Sequence, residues 1–136
     1  MGDAGACPFC GVDEGVVLCC DEAVAVYDSH PVTPGHMLVI PRRHMVSIFE
    51  ADAGELAGVM QLVARVREHL SAVHAPDGFN VGINDGVAAG QTVMHAHIHV
   101  IPRYLSDSAD PRGGVRWIMP ERAPYWKRLR DAEAEE

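Results

Sequence analysis

In Met94-His95-Ala96-His97-Ile98-His99-Val100-Ile101-Pro102-Arg103 apolar and polar positions alternate strictly as far as Val100, with a histidine at every second place between Ala96, Ile98 and Val100. A period of two is that of a β-strand, whose side chains point to opposite faces in turn. One face of this predicted strand is aliphatic and belongs to a core. The other is a row of imidazoles, roughly 7 Å between neighbours and roughly 14 Å between the outer two. Val-rich runs at 15–20 and 22–28 predict two strands joined around Asp21 as a hairpin. The continuous apolar run Met37-Leu38-Val39-Ile40 suits a central strand, and 79–84 alternates again. Over 52–73, Leu56, Val59, Met60, Val63, Val66, Leu70 and Val73 recur at helical spacing. Asp52 and Glu55 form a capping-box pair at its start, and Pro76-Asp77-Gly78 stops it. This helix is expected to cover one face of the sheet.

At 136 residues the chain suits a single domain, 1–136. Its core is expected over 7–104, an irregular segment holding both tryptophans over 105–130, and a disordered acidic tail over 131–136. Hydrophobic and charged contents of 48% and 22% are ordinary for a globular protein. The net charge of −8 argues against a partner such as duplex nucleic acid or an anionic membrane, which calls for a basic footprint. A small anionic ligand stays compatible, because a local site can be positive on a negative protein. No apolar run approaches the roughly 18 residues of a membrane span. The first six residues lack the charged and apolar regions of a signal peptide, so cytoplasm is the expected location.

Three imidazoles in register beside an aliphatic face point to chemistry, since imidazole serves near neutral pH as ligand, proton carrier or nucleophile. Strung along a strand they do not easily share one metal ion. Cys7-Pro8-Phe9-Cys10 is a zinc half-site or a redox pair. Cys19 and Cys20 are adjacent and point to opposite faces of a strand, so a zinc site would draw its other two ligands from histidines. His36 and His44 bracket the central strand. Residues 85–92 are small and glycine-containing, which suits either close approach of backbone N–H groups to an anion or a plain turn.

The segment His95-Ala96-His97-Ile98-His99-Val100-Ile101 resembles the histidine-triad (HIT) pattern, His-φ-His-φ-His-φ-φ with φ hydrophobic, at all seven positions. Gly82-Ile83-Asn84-Asp85-Gly86, Ala89-Gly90-Gln91-Thr92-Val93, Asp28, Pro34-Gly35-His36 and 38–44 follow the family's order and spacing. The resemblance implies an α+β fold: a five-stranded antiparallel sheet with one long helix and a short one, paired as a homodimer. It implies hydrolysis or transfer at the α-phosphate of a purine nucleotide or dinucleoside polyphosphate. His97 would be the nucleophile, His99 would contact phosphate oxygens, and His36 would support both by hydrogen bonding. Asp28 and Asn84 match the ribose-side residues, and Gln91 and Thr92 the phosphate loop. Cys7, Cys10, His44 and His95 match the ligands of the one structural zinc per chain that some members hold. Divalent-metal-chelated substrate is compatible with this reading.

Ile101-Pro102-Arg103 after the triad looks more like the dinucleoside-polyphosphate hydrolase side of the family than the phosphoramidase side, where a glycine pair is typical. Phosphoramidase activity is the alternative within the family. Outside it stand a non-catalytic nucleotide-binding dimer, a thiol–disulfide module on Cys7 and Cys10, and a zinc hydrolase using His-x-His ligands.

Overall fold

The alternating and Val-rich runs become five strands: β1 (Val16–Cys19), β2 (Ala23–Tyr27), β3 (Met37–Pro41), β4 (Gly78–Gly82) and β5 (Ile98–Arg103). They pair antiparallel in the order β1-β2-β3-β5-β4, with β3 in the middle. This computed structural model describes residues 7–134, and the chain divides after Tyr104 into two compact units. The expectations for the first six residues, and for the last two of the acidic tail, lie outside the described residues.

Successive residues of β2 and β3 face opposite ways, which builds two clusters. Ala23, Ala25, Met37 and Val39 pack under α1 (Ala53–His74) with Val59, Leu62, Val63, Val66, Leu70, Ile98 and Val100. Val24, Leu38 and Ile40 form a smaller cluster on the other face, with Phe9, Val12, Val16 and Val26. Burial on both faces is why β3 reads as one apolar run instead of alternating. Leu38 pairs with His99 in the β3–β5 register, so His99 shares the face away from α1. That register places the site.

At the start of α1, Asp52 accepts from the Glu55 N–H at 2.8 Å and Glu55 accepts from the Asp52 N–H at 3.1 Å, the capping box expected there. Arg43 forks onto both Glu55 oxygens at 2.9 Å, and this pairing, with the cap, draws the Glu55 pKa down to about 2. The helix ends at Ala75, which takes the left-handed conformation at φ 47°. The apolar stripe needs correcting. Leu56, Met60 and Val73 are 40, 47 and 57% exposed, whereas Leu62, outside the expected stripe, is fully buried. The buried line is Val59, Leu62, Val63, Val66 and Leu70 at i, i+3, i+4, i+7 and i+11. Met60 is turned about 100° from Val59, and Leu56 and Val73 sit in the first and last turns.

The strand expected over the stretch from Met94 to Arg103 begins instead at Ile98. β3 ends at Pro41, which has no N–H to extend a ladder. Ahead of β5 the Ala96 N–H bonds the Met45 carbonyl at 2.7 Å. His95 and His97 therefore lie on an approach segment, released from the strict row.

In the second unit, the segment expected to be irregular contains a 3₁₀ turn (Gly114–Ile118) and the short helix of the fold, α2 (Tyr125–Ala134). Residues 131–134 of the tail expected to be disordered belong to α2. Its aromatics pack on arginines of the same segment: Arg112 lies 4.4 Å over Trp126 and Arg116 4.9 Å over Tyr125. Arg112 also forks onto Asp110, and its carbonyl accepts from the Trp117 indole at 2.7 Å.

Candidate active site

The sheet face away from α1 is the floor of a cleft of about 740 Å³. Val26, Leu38 and Ile40 supply an apolar floor, and Phe9 and Val12 from the N-terminal turn supply a wall. Asp28 enters from the end of β2, Asn84 from beyond β4, and Thr92 from the loop before the histidine segment. His97 and His99 complete the lining. An apolar slot with a few polar groups converging at one end suits an amphipathic small ligand.

The protons on the histidines can be assigned from their partners. The Val32 N–H donates to Nδ1 of His36 at 3.2 Å, so the neutral His36 ring carries its proton on Nε2. That atom lies 2.9 Å from Nδ1 of His99 and 3.4 Å from Asp28 Oδ2. His36 therefore donates to His99, whose own proton must then sit on Nε2. Burial lowers the pKa of His36, and Asp28 opposes the shift. Burial also lowers that of His99, with repulsion from His97 and His36 adding to it and Asp28 again opposing. Both rings are held neutral. The Asp28 carboxylate is anchored from its other side by the His30 N–H at 2.8 Å.

Nδ1 of His97 donates to the His95 carbonyl at 2.8 Å. This fixes the tautomer with its lone pair on Nε2, where a nucleophile needs it. The His97 ring stands 5.1 Å from that of His99 and 5.0 Å from Phe9, edge to face in both cases.

His95 itself is fully buried and turns the other way. Its Nε2–H donates to the Pro41 carbonyl at 2.8 Å, which leaves Nδ1 as a lone pair. That Nδ1 lies 3.1 Å from Nδ1 of His44 and 3.5 Å from both Cys7 Sγ and Cys10 Sγ. The four ligand atoms all fall within 4.8 Å of one another. Two thiols and two imidazoles at this spacing, one ring oriented by a backbone carbonyl, fit a tetrahedral Cys₂His₂ centre of the kind zinc takes. Asp28, His36 and His99 are equally close together. The Val32 N–H keeps a proton on His36 Nε2, so that group is a hydrogen-bonded relay.

The site residues expected from the sequence are mostly brought together. Asp28, Asn84, Thr92, His97 and His99 line the cleft, His36 contacts Asp28 and His99 without lining it, and Cys7, Cys10, His44 and His95 converge in a cluster of their own. Gln91 is placed differently. It is buried, its carbonyl accepts from the Gly86 N–H, and its amide donates to the Val46 and Val93 carbonyls. Its side chain braces the loop and does not line the cleft. Arg103 donates to Asn80 Oδ1 at 2.7 Å. The apolar wall and floor, from Phe9 and Val12 to Leu38 and Ile40, were not among the expected site residues. Their apolar character marks them equally well as core, and only the position of Phe9 between the two cysteines hinted otherwise.

A match to the HIT domain family covers residues 11–105. An uncharacterised HIT-like protein of Mycoplasma genitalium is 36% identical over 104 residues, 73% of this chain and 74% of its own. The asymmetrical bis(5'-nucleosyl)-tetraphosphatase of Schizosaccharomyces pombe is 38% identical over 88 residues, 65% of this chain and 48% of its own. Among solved structures, that of a Zn-bound histidine triad family protein from Mycobacterium smegmatis superposes with a TM-score of 0.71 at 32% identity. It covers 79% of this chain and 82% of that one.

Proposed function

The chain belongs to the HIT domain family, and from that premise we propose that it cleaves nucleoside phosphates at the α-phosphate through a covalent nucleotidyl-His97 intermediate, with dinucleoside polyphosphates preferred. The observation that carries this reading is the tautomer of His97, a residue of the cleft lining whose Nδ1 is bonded to the His95 carbonyl so that the lone pair falls on Nε2. In the first displacement Nε2 forms an N–P bond as the bond to the bridging oxygen breaks, and that oxygen leaves with the electron pair. Because Nδ1 keeps its proton, the nucleotidyl-imidazole is cationic and a good leaving group. In the second displacement a water oxygen bonds phosphorus as the N–P bond breaks, its electron pair returns to Nε2, and the water's proton passes to solvent. Nε2–H of His99, oriented by His36, would donate to the phosphoryl oxygens as charge spreads over them. Asp28 and Asn84 would take the ribose side, Thr92 and the backbone of its loop the phosphate, and the Phe9–Leu38–Ile40 slot the base.

Zinc on Cys7, Cys10, His44 and His95 would be a structural centre, tying the N-terminal turn to the approach segment of β5. The fit of the four donors supports it, as does the zinc of the M. smegmatis relative. A homodimer is also part of the reading, supported by exposed Val81 on the edge strand β4 and by Leu56 and Met60 on α1. No helix among the described residues is long and apolar enough to cross a membrane. Thiol ligands favour a reducing compartment, which supports a cytoplasmic location.

The test is turnover of diadenosine tetraphosphate beside adenosine 5′-phosphoramidate, with His97→Ala as control. Polyphosphate cleavage that vanishes in the variant, with a nucleotide trapped on the wild-type protein, is the expected result. A strong preference for the phosphoramidate moves the chain to the phosphoramidase side. Activity that survives His97→Ala removes His97 as nucleophile. Tight AMP binding without turnover of either compound leaves a binding module.

A further inference from the structure

The metal centre and the nucleotide cleft share one short piece of chain. Cys7 and Cys10 supply two of the four clustered ligand atoms, and Pro8 and Phe9 between them line the cleft. The Phe9 ring meets the His97 ring edge to face at 5.0 Å and the His95 ring at 6.2 Å. A second link runs through His95, whose Nδ1 belongs to the cluster while its carbonyl holds His97.

We propose that Phe9 is a positioning residue through which the Cys7–Cys10–His44–His95 centre and the nucleotide site are energetically coupled. The proposal rests on the functional reading above. Phe9 is carried on a turn of two residues whose ends are both ligands, so closing the centre restricts where its ring can lie. With the centre closed, the ring forms the wall of the slot and braces the nucleophile. With the centre open, the turn loses its two anchors, and a ligand that needs the wall must order it from its own binding energy. The same geometry runs in reverse. A base packed against Phe9 holds the turn in the shape that brings the two thiols together, so nucleotide binding tightens the metal. Coupling between binding sites is reciprocal by thermodynamic necessity.

Reciprocity supplies the experiment. Zinc affinity is measured by competition with a chromophoric chelator, with and without saturating AMP, in the wild-type protein and in Phe9→Ala. AMP binding is measured by calorimetry on the same zinc-loaded samples, and zinc content and melting midpoint report that each sample is folded. The expected result is that AMP raises the zinc affinity of the wild type by about tenfold, within the usual range of site–site coupling. In Phe9→Ala, AMP binds more weakly and leaves zinc affinity unchanged. Phe9→Tyr restores the coupling. AMP's own weak hold on zinc acts in the opposite direction and cannot mimic the effect. Unchanged zinc affinity in a wild-type protein that binds AMP overturns the proposal and leaves the functional reading standing. Coupling that persists in Phe9→Ala overturns the role of Phe9 and shifts the link to the His95 carbonyl. A zinc-loaded wild type that binds no nucleotide overturns the functional reading instead.

Discussion

Nε2 of His36 lies 2.9 Å from Nδ1 of His99, and the direction of that bond is fixed from behind, by the Val32 N–H on the other nitrogen of His36. A backbone group thus decides which nitrogen of His99 faces the cleft with a proton. The chain of donation runs from Val32 to His36 to His99 and ends, in the proposed reaction, on a phosphoryl oxygen. Beside it runs an independent arrangement in which the His95 carbonyl fixes His97 with a lone pair outward. Two imidazoles 5.1 Å apart are thereby held in opposite tautomers, one with a proton on Nε2 and one with a lone pair there.

This predicts that His36→Ala lowers kcat by roughly tenfold to a hundredfold, the usual cost of removing a group that orients a functional imidazole. AMP affinity changes little by comparison, because His36 does not line the cleft. Steady-state kinetics with AMP calorimetry checks it. A loss confined to KM would show that His36 serves binding and not the orientation of His99.

The acid side of the stability profile carries a second prediction. His36 and His99 both titrate below the ordinary value of 6.5 in the folded protein, mainly because they are buried. Below that value the unfolded chain takes up protons that the native rings refuse, so stability falls as pH falls. The contribution is complete above pH 6.5 and is lost progressively through the lowered native values. Melting midpoints across this window, for zinc-loaded wild type and His36→Gln, are the measurement. The variant, with one fewer refusing ring, shows the shallower acid slope. Equal slopes would mean that His36 is not held neutral by the fold.

Much of this was legible in the sequence, and the parts that were not share a cause. The continuous run at β3 and the Asp52–Glu55 cap are local patterns, and both translate directly into structure. The histidine alternation identified the right three side chains but placed them in one row. Periodicity cannot see that Pro41 ends the neighbouring strand, or that its carbonyl holds His95 in the cluster with Cys7, Cys10 and His44. Helix α2 lacks an apolar stripe, so the pattern read it as irregular, although Leu129, Ala132 and Ala134 among charged residues are good helix formers. Phe9 went unmarked, and the bracing bonds of Gln91 went unseen, for a common reason. Whether an apolar ring lines a core or a cleft, and whether an amide faces a ligand or a backbone, depends on partners distant in sequence.

Gln91 gives a third prediction. Gln91→Leu keeps much of the volume but strands the Gly86 N–H and the Val46 and Val93 carbonyls. At about 1 kcal/mol net for each of the three part-buried hydrogen bonds lost, a loss of about 3 kcal/mol is expected in denaturant unfolding. Gln91→Glu is also destabilising, because a carboxylate can accept from Gly86 but cannot donate to the two carbonyls. A variant as stable as wild type but with weakened phosphate affinity would return Gln91 to direct ligand contact.

The metal centre gives the last. His44 is exposed and does not line the cleft, so its removal tests the centre without touching the substrate's walls. A metal that binds only the folded chain stabilises it by about 2.7 kcal/mol when free metal stands at a hundred times its dissociation constant. Wild-type protein should therefore melt at a midpoint that rises with added zinc and falls on chelation, while His44→Ala melts at one lower midpoint in both conditions. His44→Cys preserves four ligands and should restore the zinc dependence, as a Cys₃His set binds zinc equally well in kind. Thiols and imidazoles must shed their protons to bind metal, so the zinc-dependent part of the midpoint should shrink as pH falls while the same shift is absent from His44→Ala. A wild-type midpoint indifferent to both zinc and chelator would mean that the four donors converge without serving as a metal site, and that Cys7 and Cys10 act as thiols.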